Sequence, residues 1–150
     1  MKLCDALAPD RIELNLSHTE KVSVIEEMIA LTGRSIPLSD PDTLLRLILD
    51  QEAIGTSGVD QGVAIPHARS DQVDGVVVSL GISRSGLDFQ SLDGGPVYLV
   101  FLILSSEVPS YISVLSRTAR IFNREGVRQQ VIDASSAEEI MDLIRRQEPV

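Results

Sequence analysis

A chain of 150 residues suits one domain, read here as 1–150, and leaves little room for a second. The formal charge is −9 and aromatic residues make up 3%, which speaks against nucleic acid: phosphate backbones call for clustered Lys and Arg, and bases call for stacking rings. An anionic membrane surface is disfavoured for the same reason, whereas a basic protein patch is well matched; plain solubility accounts for the charge equally well.

In chain order, Ile12 to Leu16 alternates apolar and polar positions and predicts a short strand. Ser17, with Glu20 three residues on, reads as a capping box opening a helix. Val22, Ile25, Met28 and Ile29 share one face of that helix, and Gly33 is placed to end it. Asp40-Pro41 predicts a second helix, with Asp40 as N-cap and Pro41 in the first turn. Residues 55–62 hold three glycines and read as a loop. Val63-Ala64-Ile65 is a short buried strand that stops at Pro66. Val76 to Ile82 is a clear strand, Asp93 to Pro96 a turn, and Val97 to Leu104 a nearly all-apolar strand of the kind covered on both faces. Helices are expected from about Pro109 to Phe122, from about Arg124 to Ile132, and from Ser136, where Glu139 completes another capping box. Residues 147–150 read as a loose tail. The order predicts an α/β fold: a single-domain, mixed parallel and antiparallel sheet flanked by helices on both sides.

Cys4 is the only cysteine, so neither an intramolecular disulfide nor a cysteine-rich zinc site can form. The opening residues lack a signal-peptide pattern and no apolar run reaches membrane-spanning length, so a cytoplasmic protein without membrane insertion is expected.

The chain has two histidines. His18 falls in the first turn of the expected helix, facing away from the Val22 and Ile25 stripe, and reads as an exposed residue; no spacing such as HExxH calls for a metal. His67 has a different setting. A glycine-containing loop leads to a buried strand, Pro66 fixes a backbone angle, and the imidazole follows. Thr56 and Ser57 add hydroxyl donors, and loop N–H groups can approach an anion. A nucleophilic ring nitrogen among uncharged donors suits transient attachment of a phosphoryl group. A strand-end histidine with a purely structural role fits the same residues. Neither GxSxG nor GxxxxGK[ST] is present, which sets serine hydrolases and P-loop nucleotide binding aside.

The segment Glu52-Ala53-Ile54-Gly55-Thr56-Ser57-Gly58-Val59-Asp60-Gln61-Gly62-Val63-Ala64-Ile65-Pro66-His67-Ala68 closely resembles the active-site segment of the type-2 EIIA domains. These belong to the phosphoenolpyruvate-dependent sugar phosphotransferase system (PTS), in its fructose/mannitol and nitrogen-regulatory branches. The resemblance covers nearly the whole chain. It implies a phosphoryl acceptor at His67, through Nε2, an HPr-like phosphocarrier as donor, and a IIB domain or a regulatory target protein as the next partner. It implies no cofactor and no metal, because a phosphohistidine donor already carries the driving force. Three positions depart from the family pattern. Gln51 stands where an arginine is frequent, Tyr111 where a second histidine is frequent, and Asp60 where a small residue is preferred. Arg69 occupies a place that commonly holds Lys and is expected to supply positive charge beside His67. With Thr56, Ser57, Gln51 and Tyr111 it forms the expected phosphoryl-positioning set, short of the family's usual cationic help, so that transfer is retained but slower or differently partnered.

Two functions follow. One is phosphotransfer through His67, in sugar uptake or nitrogen-type regulation. The other is a regulatory protein-binding module in which transfer is weak or lost, a reading favoured by the lack of an attached IIB or permease region in these 150 residues.

Overall fold

The structure is a computed structural model that describes residues 1–58 and 60–148, with only the backbone of Asp60. Its centre is one mixed sheet of five strands: β1 (Ile12–Glu13), β2 (Val63–Ala64), β3 (His67–Arg69), β4 (Val76–Leu87) and β5 (Val97–Ser105). The sheet runs β1-β4-β5, with β2 and β3 both on the outer side of β5. Strands β4 and β5 are antiparallel, and every other pairing is parallel.

Strand β5 is apolar at almost every position because both of its faces are covered. Leu99, Phe101 and Ile103 enter a core built with α1 (Leu3–Ala6), α4 (Val108–Phe122), α5 (Val127–Asp133) and α6 (Ala137–Gln147). Val100, Leu102 and Leu104 enter a second core on the opposite face, under α2 (Lys21–Ser35) and α3 (Pro41–Ile54). The flanked mixed sheet agrees with the expectation from sequence, as do the start of α3 and the extent of β5. Asp40 accepts the Thr43 amide and Pro41 follows it.

Several local expectations are corrected. The first strand is two residues long rather than Ile12 to Leu16. The Leu14 carbonyl and the Asn15 side chain turn to the Arg84 guanidinium instead of extending the ladder. Ser17 does not cap α2. Its amide, and that of His18, bond to the Glu27 carboxylate, and the helix begins only at Lys21, after Glu20. His18 therefore precedes the helix; its exposure is as expected. Gly33 lies inside α2, which continues to Ser35. The helix expected from Arg124 starts at Val127, after the left-handed Gly126 (φ 84°). Ser136 caps α6 by accepting the Glu139 amide, but the Glu139 carboxylate returns to Ser135, one residue earlier than a capping box requires. Gln147 and Glu148 are not loose: the Gln147 carbonyl accepts from Arg124, and Glu148 is buried with its carboxylate on the amides of Leu3 and Cys4. Residues 149–150 of that tail lie outside the described residues.

The edge beyond β5 positions the site. Pro66 does not end the strand there. Val63 and Ala64 pair with Leu99 and Val100, and His67 to Arg69 pair with Ile103 to Ser105, so the offset of 36 positions is unchanged across the gap. The Ile103 amide donates to the Pro66 carbonyl at 3.0 Å, so the ladder continues through the one residue that has no N–H of its own. Strands β2 and β3 are thus one edge strand, interrupted in assignment but not in register. No helix among the described residues is long and apolar enough to cross a membrane.

Candidate functional site

His67 opens β3 and is half-buried. Ala68 enters the core under α2 and α3, so strand alternation points His67 and Arg69 to the opposite side, toward α4. There the Tyr111 ring meets the imidazole edge-on, with centroids 5.4 Å apart and planes at 62°. Tyr111 lies in the first turn of α4, and burial pushes its phenol up from the ordinary tyrosine range. Beside a phosphoryl group that phenol is a neutral donor rather than a negative charge.

On the His67 ring, Nδ1 lies 2.7 Å from the Ile65 carbonyl oxygen. A carbonyl can only accept, so Nδ1 carries the proton in the neutral ring and Nε2 keeps its lone pair. The Ile65 amide in turn donates to the Ser57 carbonyl at 3.1 Å. The imidazole is thereby oriented by backbone on both sides of Ile65.

The glycine loop is placed differently from what its composition suggests. Its amides were expected to approach an anion, yet three of them are used within the protein. The Gly55 N–H goes to the Gln51 carbonyl, the Ser57 N–H to both Glu52 oxygens (3.0 and 3.1 Å), and the Gly58 N–H to the Thr56 hydroxyl. The Thr56 hydroxyl donates to the Phe89 carbonyl at 3.2 Å, so its one hydrogen is committed. The Ser57 hydroxyl is buried and has no partner among the described residues. Of the two loop hydroxyls, it alone has its donor unspent.

Arg69 is exposed and makes no ion pair among the described residues. Gln51 is exposed in the last turns of α3, and no hydrogen bond or ring contact among the described residues joins it to His67. The side chain of Asp60, the third departure from the family pattern, lies outside the described residues. A groove of about 460 Å³ runs along the same side of the edge strand, lined by Val63, Ile65, Ala119 and Phe122 with Arg120 and Asn123. Among the described residues no group of three or more His, Cys, Asp or Glu side chains is arranged to hold a metal ion.

Sequence reasoning missed Lys21. Its ammonium lies 2.7 Å from Glu52 Oε1, 3.4 Å from the Thr56 hydroxyl, and 5.0 Å above the Phe89 ring centroid. No local pattern announces this, since Lys21 is 31 residues from Glu52 (52 − 21) and is the first residue of another helix.

Comparison with known proteins shows the family and the fold. Residues 5–147 match the family described as phosphoenolpyruvate-dependent sugar phosphotransferase system, EIIA 2. The chain is 34% identical over 148 residues to the PTS system fructose-specific EIIABC component of Bacillus subtilis, a match that covers 97% of this chain and spans 23% of that protein. It is 28% identical over 146 residues to the nitrogen regulatory protein of Pseudomonas aeruginosa, covering 96% of this chain and 95% of that protein. The crystal structure of nitrogen regulatory protein IIA-Ntr from Neisseria meningitidis aligns with a TM-score of 0.86 at 30% identity, covering 95% of this chain and 98% of that one. The chain therefore belongs to the type-2 EIIA family of the phosphoenolpyruvate-dependent sugar phosphotransferase system, whose members are sugar-specific or nitrogen-regulatory phosphotransfer proteins.

Proposed function

We propose that these 150 residues act as one cytoplasmic phosphotransfer domain in which His67 accepts a phosphoryl group on Nε2. The observation that carries this reading is the 2.7 Å contact from Nδ1 to the Ile65 carbonyl, which leaves Nε2 as the ring's nucleophile. In the forward step the Nε2 lone pair attacks the phosphorus of a phosphohistidine on an HPr-like carrier. The Nε2–P bond forms, the donor's N–P bond breaks, and the donor imidazole leaves with that electron pair. The His67 ring then carries the Nδ1 proton as well as the phosphoryl group, and the Ile65 carbonyl stabilises its positive charge. The Ser57 hydroxyl, the Tyr111 phenol and Arg69 are the donors proposed for the phosphoryl oxygens. No metal or organic cofactor enters the step.

A protein donor needs a docking face. Ile54 and Leu92 are 85% and 77% exposed, and Leu92 is held beside the loop by its N–H on the Gly58 carbonyl. Val108 and Ile112, which flank Tyr111 on α4, are also exposed. Such apolar residues in an otherwise acidic surface suit a partner with an apolar centre and a basic rim.

The outlet is either a IIB domain or a regulatory target. Nitrogen regulatory proteins stand beside fructose-specific EIIA components among the relatives, so a regulatory outlet is one of the two. Phosphorylation would then add about −1.5 to −2 charge at one surface point and alter docking.

The test is incubation with phosphoenolpyruvate, enzyme I and HPr, followed by assay for acid-labile phosphate. Label on the native chain that is lost in His67→Ala is expected. Absence of label with every available carrier would sink the transfer reading and leave a regulatory binding module.

A further inference from the structure

The buried pair Lys21–Glu52 has no explanation in helix stability. Lys21 is the first residue of α2, where the positive end of the helix dipole repels a cation. Glu52 is in the last turn of α3, where the negative end repels an anion. The two side chains are only 11% and 5% exposed, so both charges also bear a desolvation cost. A buried pair of this kind is often no more stabilising than an apolar replacement.

What the pair does hold is the loop next to His67. Both Glu52 oxygens receive the Ser57 N–H. Lys21 also reaches the Thr56 hydroxyl, and that hydroxyl is fixed from two further directions, by the Phe89 carbonyl and the Gly58 N–H. The residue so held, Ser57, offers its carbonyl to the Ile65 N–H at 3.1 Å. Ile65 offers its own carbonyl to His67 Nδ1 at 2.7 Å. An unbroken chain of contacts therefore runs from the start of α2, through the end of α3 and two backbone residues, to the imidazole. Its first link is an ammonium without which the Glu52 carboxylate is buried and unpaired.

We propose that Lys21 is a positioning residue for His67, acting through Glu52 and the Ser57–Ile65 backbone to keep the proton on Nδ1 and the lone pair on Nε2. The proposal rests on the reading of His67 as phosphoryl acceptor, but its structural half concerns the free ring and is observable without any donor. Lys21 does not touch the reacting atoms. It holds the Glu52 carboxylate in place at 2.7 Å, Glu52 holds Ser57 in place, and the Ile65 carbonyl then meets the ring at one fixed position. Without Lys21 the buried carboxylate loses its charge partner and turns toward solvent. The Ser57 amide is then released, and the ring is free to exchange tautomers and to rotate.

The experiment compares the native chain, Lys21→Met and the double variant Lys21→Met/Glu52→Gln. Thermal melting identifies the folded variants, ¹⁵N NMR of the His67 ring reports the tautomer, and the phosphorylation rate is read with one HPr donor. In Lys21→Met the ring is expected to pass from the Nδ1–H form to a mixture, with a rate loss on the order of tenfold to a hundredfold, as misplaced reacting groups produce. The double variant removes the unpaired charge while the introduced amide oxygen still accepts the Ser57 N–H. It is expected to recover the Nδ1–H form and most of the rate. A folded Lys21→Met with native ring shifts and native rate overturns the proposal. So does a folded double variant no better than the single one, since Lys21 would then act on the phosphoryl group directly. Should Lys21→Met not fold, Lys21→Gln, which keeps a donor but not the charge, is read in the same way. If even the native chain accepts no phosphoryl group, the function proposed above fails, and the ring tautomer still decides the role of Lys21.

Discussion

His67 Nδ1 stands 2.7 Å from the carbonyl oxygen of Ile65, two residues earlier in the same edge strand. Pro66, between them, leaves the ladder in register, and the Ile65 carbonyl is the partner of the ring nitrogen. The first prediction concerns which nitrogen reacts. Phosphate should be found on Nε2 alone, and the free neutral ring should be the Nδ1–H form. Two-bond ¹H–¹⁵N spectra of the ring before and after phosphorylation check both. Phosphate on Nδ1 would contradict the role given to Ile65.

Much of this was legible in the sequence, for local reasons. Asp40-Pro41 caps α3 with atoms three residues apart, and β5 shows its burial through an unbroken apolar run. His67 stood out through its neighbours. The unreadable features depend on residues far apart. Strand β3 was hidden because Pro66 reads as a stop, although β5 supplies partners that keep the register on both sides of it. The loop amides were expected to face an anion, but Glu52, the Thr56 hydroxyl and the Gln51 carbonyl take them. The Ser17 capping box failed because Glu27, ten residues on, takes the Ser17 amide that the box would give to Glu20.

Glu27 carries the second prediction. Burial pushes its carboxyl up, but the His18 ring nitrogen and the Ser17 and His18 amides outweigh this and hold it below the usual carboxylate range. A carboxyl lowered in the folded state contributes stability that is present above its unfolded value and is lost as pH falls through its folded value. Glu27→Gln should therefore lower the urea midpoint near neutral pH, by about 1 kcal/mol for the weakened bonds. The gap between native and variant should close as the pH drops below the carboxylate range. Urea titrations across that range give the check, and a gap that widens in acid would reverse the sign argued here.

The third prediction joins the chain's two ends. Glu148 accepts the Leu3 N–H at 2.7 Å and the Cys4 N–H at 3.0 Å, and Arg117 lies 3.7 Å from it. Burial pushes the Cys4 thiol up, and the nearby Glu148 carboxylate pushes it further. Thiolate is the reactive form, so Cys4 should be alkylated more slowly than a free thiol at mildly alkaline pH, and its rate should rise only above the ordinary thiol range. Glu148→Ala should accelerate alkylation and lower stability by about 2–3 kcal/mol, because two amides at the start of α1 lose their acceptor. Iodoacetamide kinetics and a urea melt measure the two effects. Native reactivity in the variant would show that Glu148 does not govern the thiol.

The last prediction concerns charge beside the acceptor. A phosphoryl group on His67 brings negative charge to a site whose nearest ring neighbour, Tyr111, is neutral. Arg69 lies two residues along the strand on the same side and is free to turn toward that charge. A charge-assisted hydrogen bond is worth about 1.5–3 kcal/mol, which corresponds to roughly tenfold to a hundredfold in rate if it is made only during transfer. Arg69→Met should slow phosphorylation within that range, whereas Arg69→Lys should keep most of the rate, since a point charge still serves a phosphoryl oxygen. Tyr111→His places a second imidazole against the first and should speed transfer severalfold where that ring is protonated, hence more strongly toward mildly acidic pH. Gln51→Arg should do less, because no contact joins Gln51 to the ring. Rates for the four variants with one HPr donor, each set against a melting curve, separate charge from packing. Equal rates in the native chain, Arg69→Met and Tyr111→His would show that transfer at His67 is governed by docking of the donor rather than by local charge.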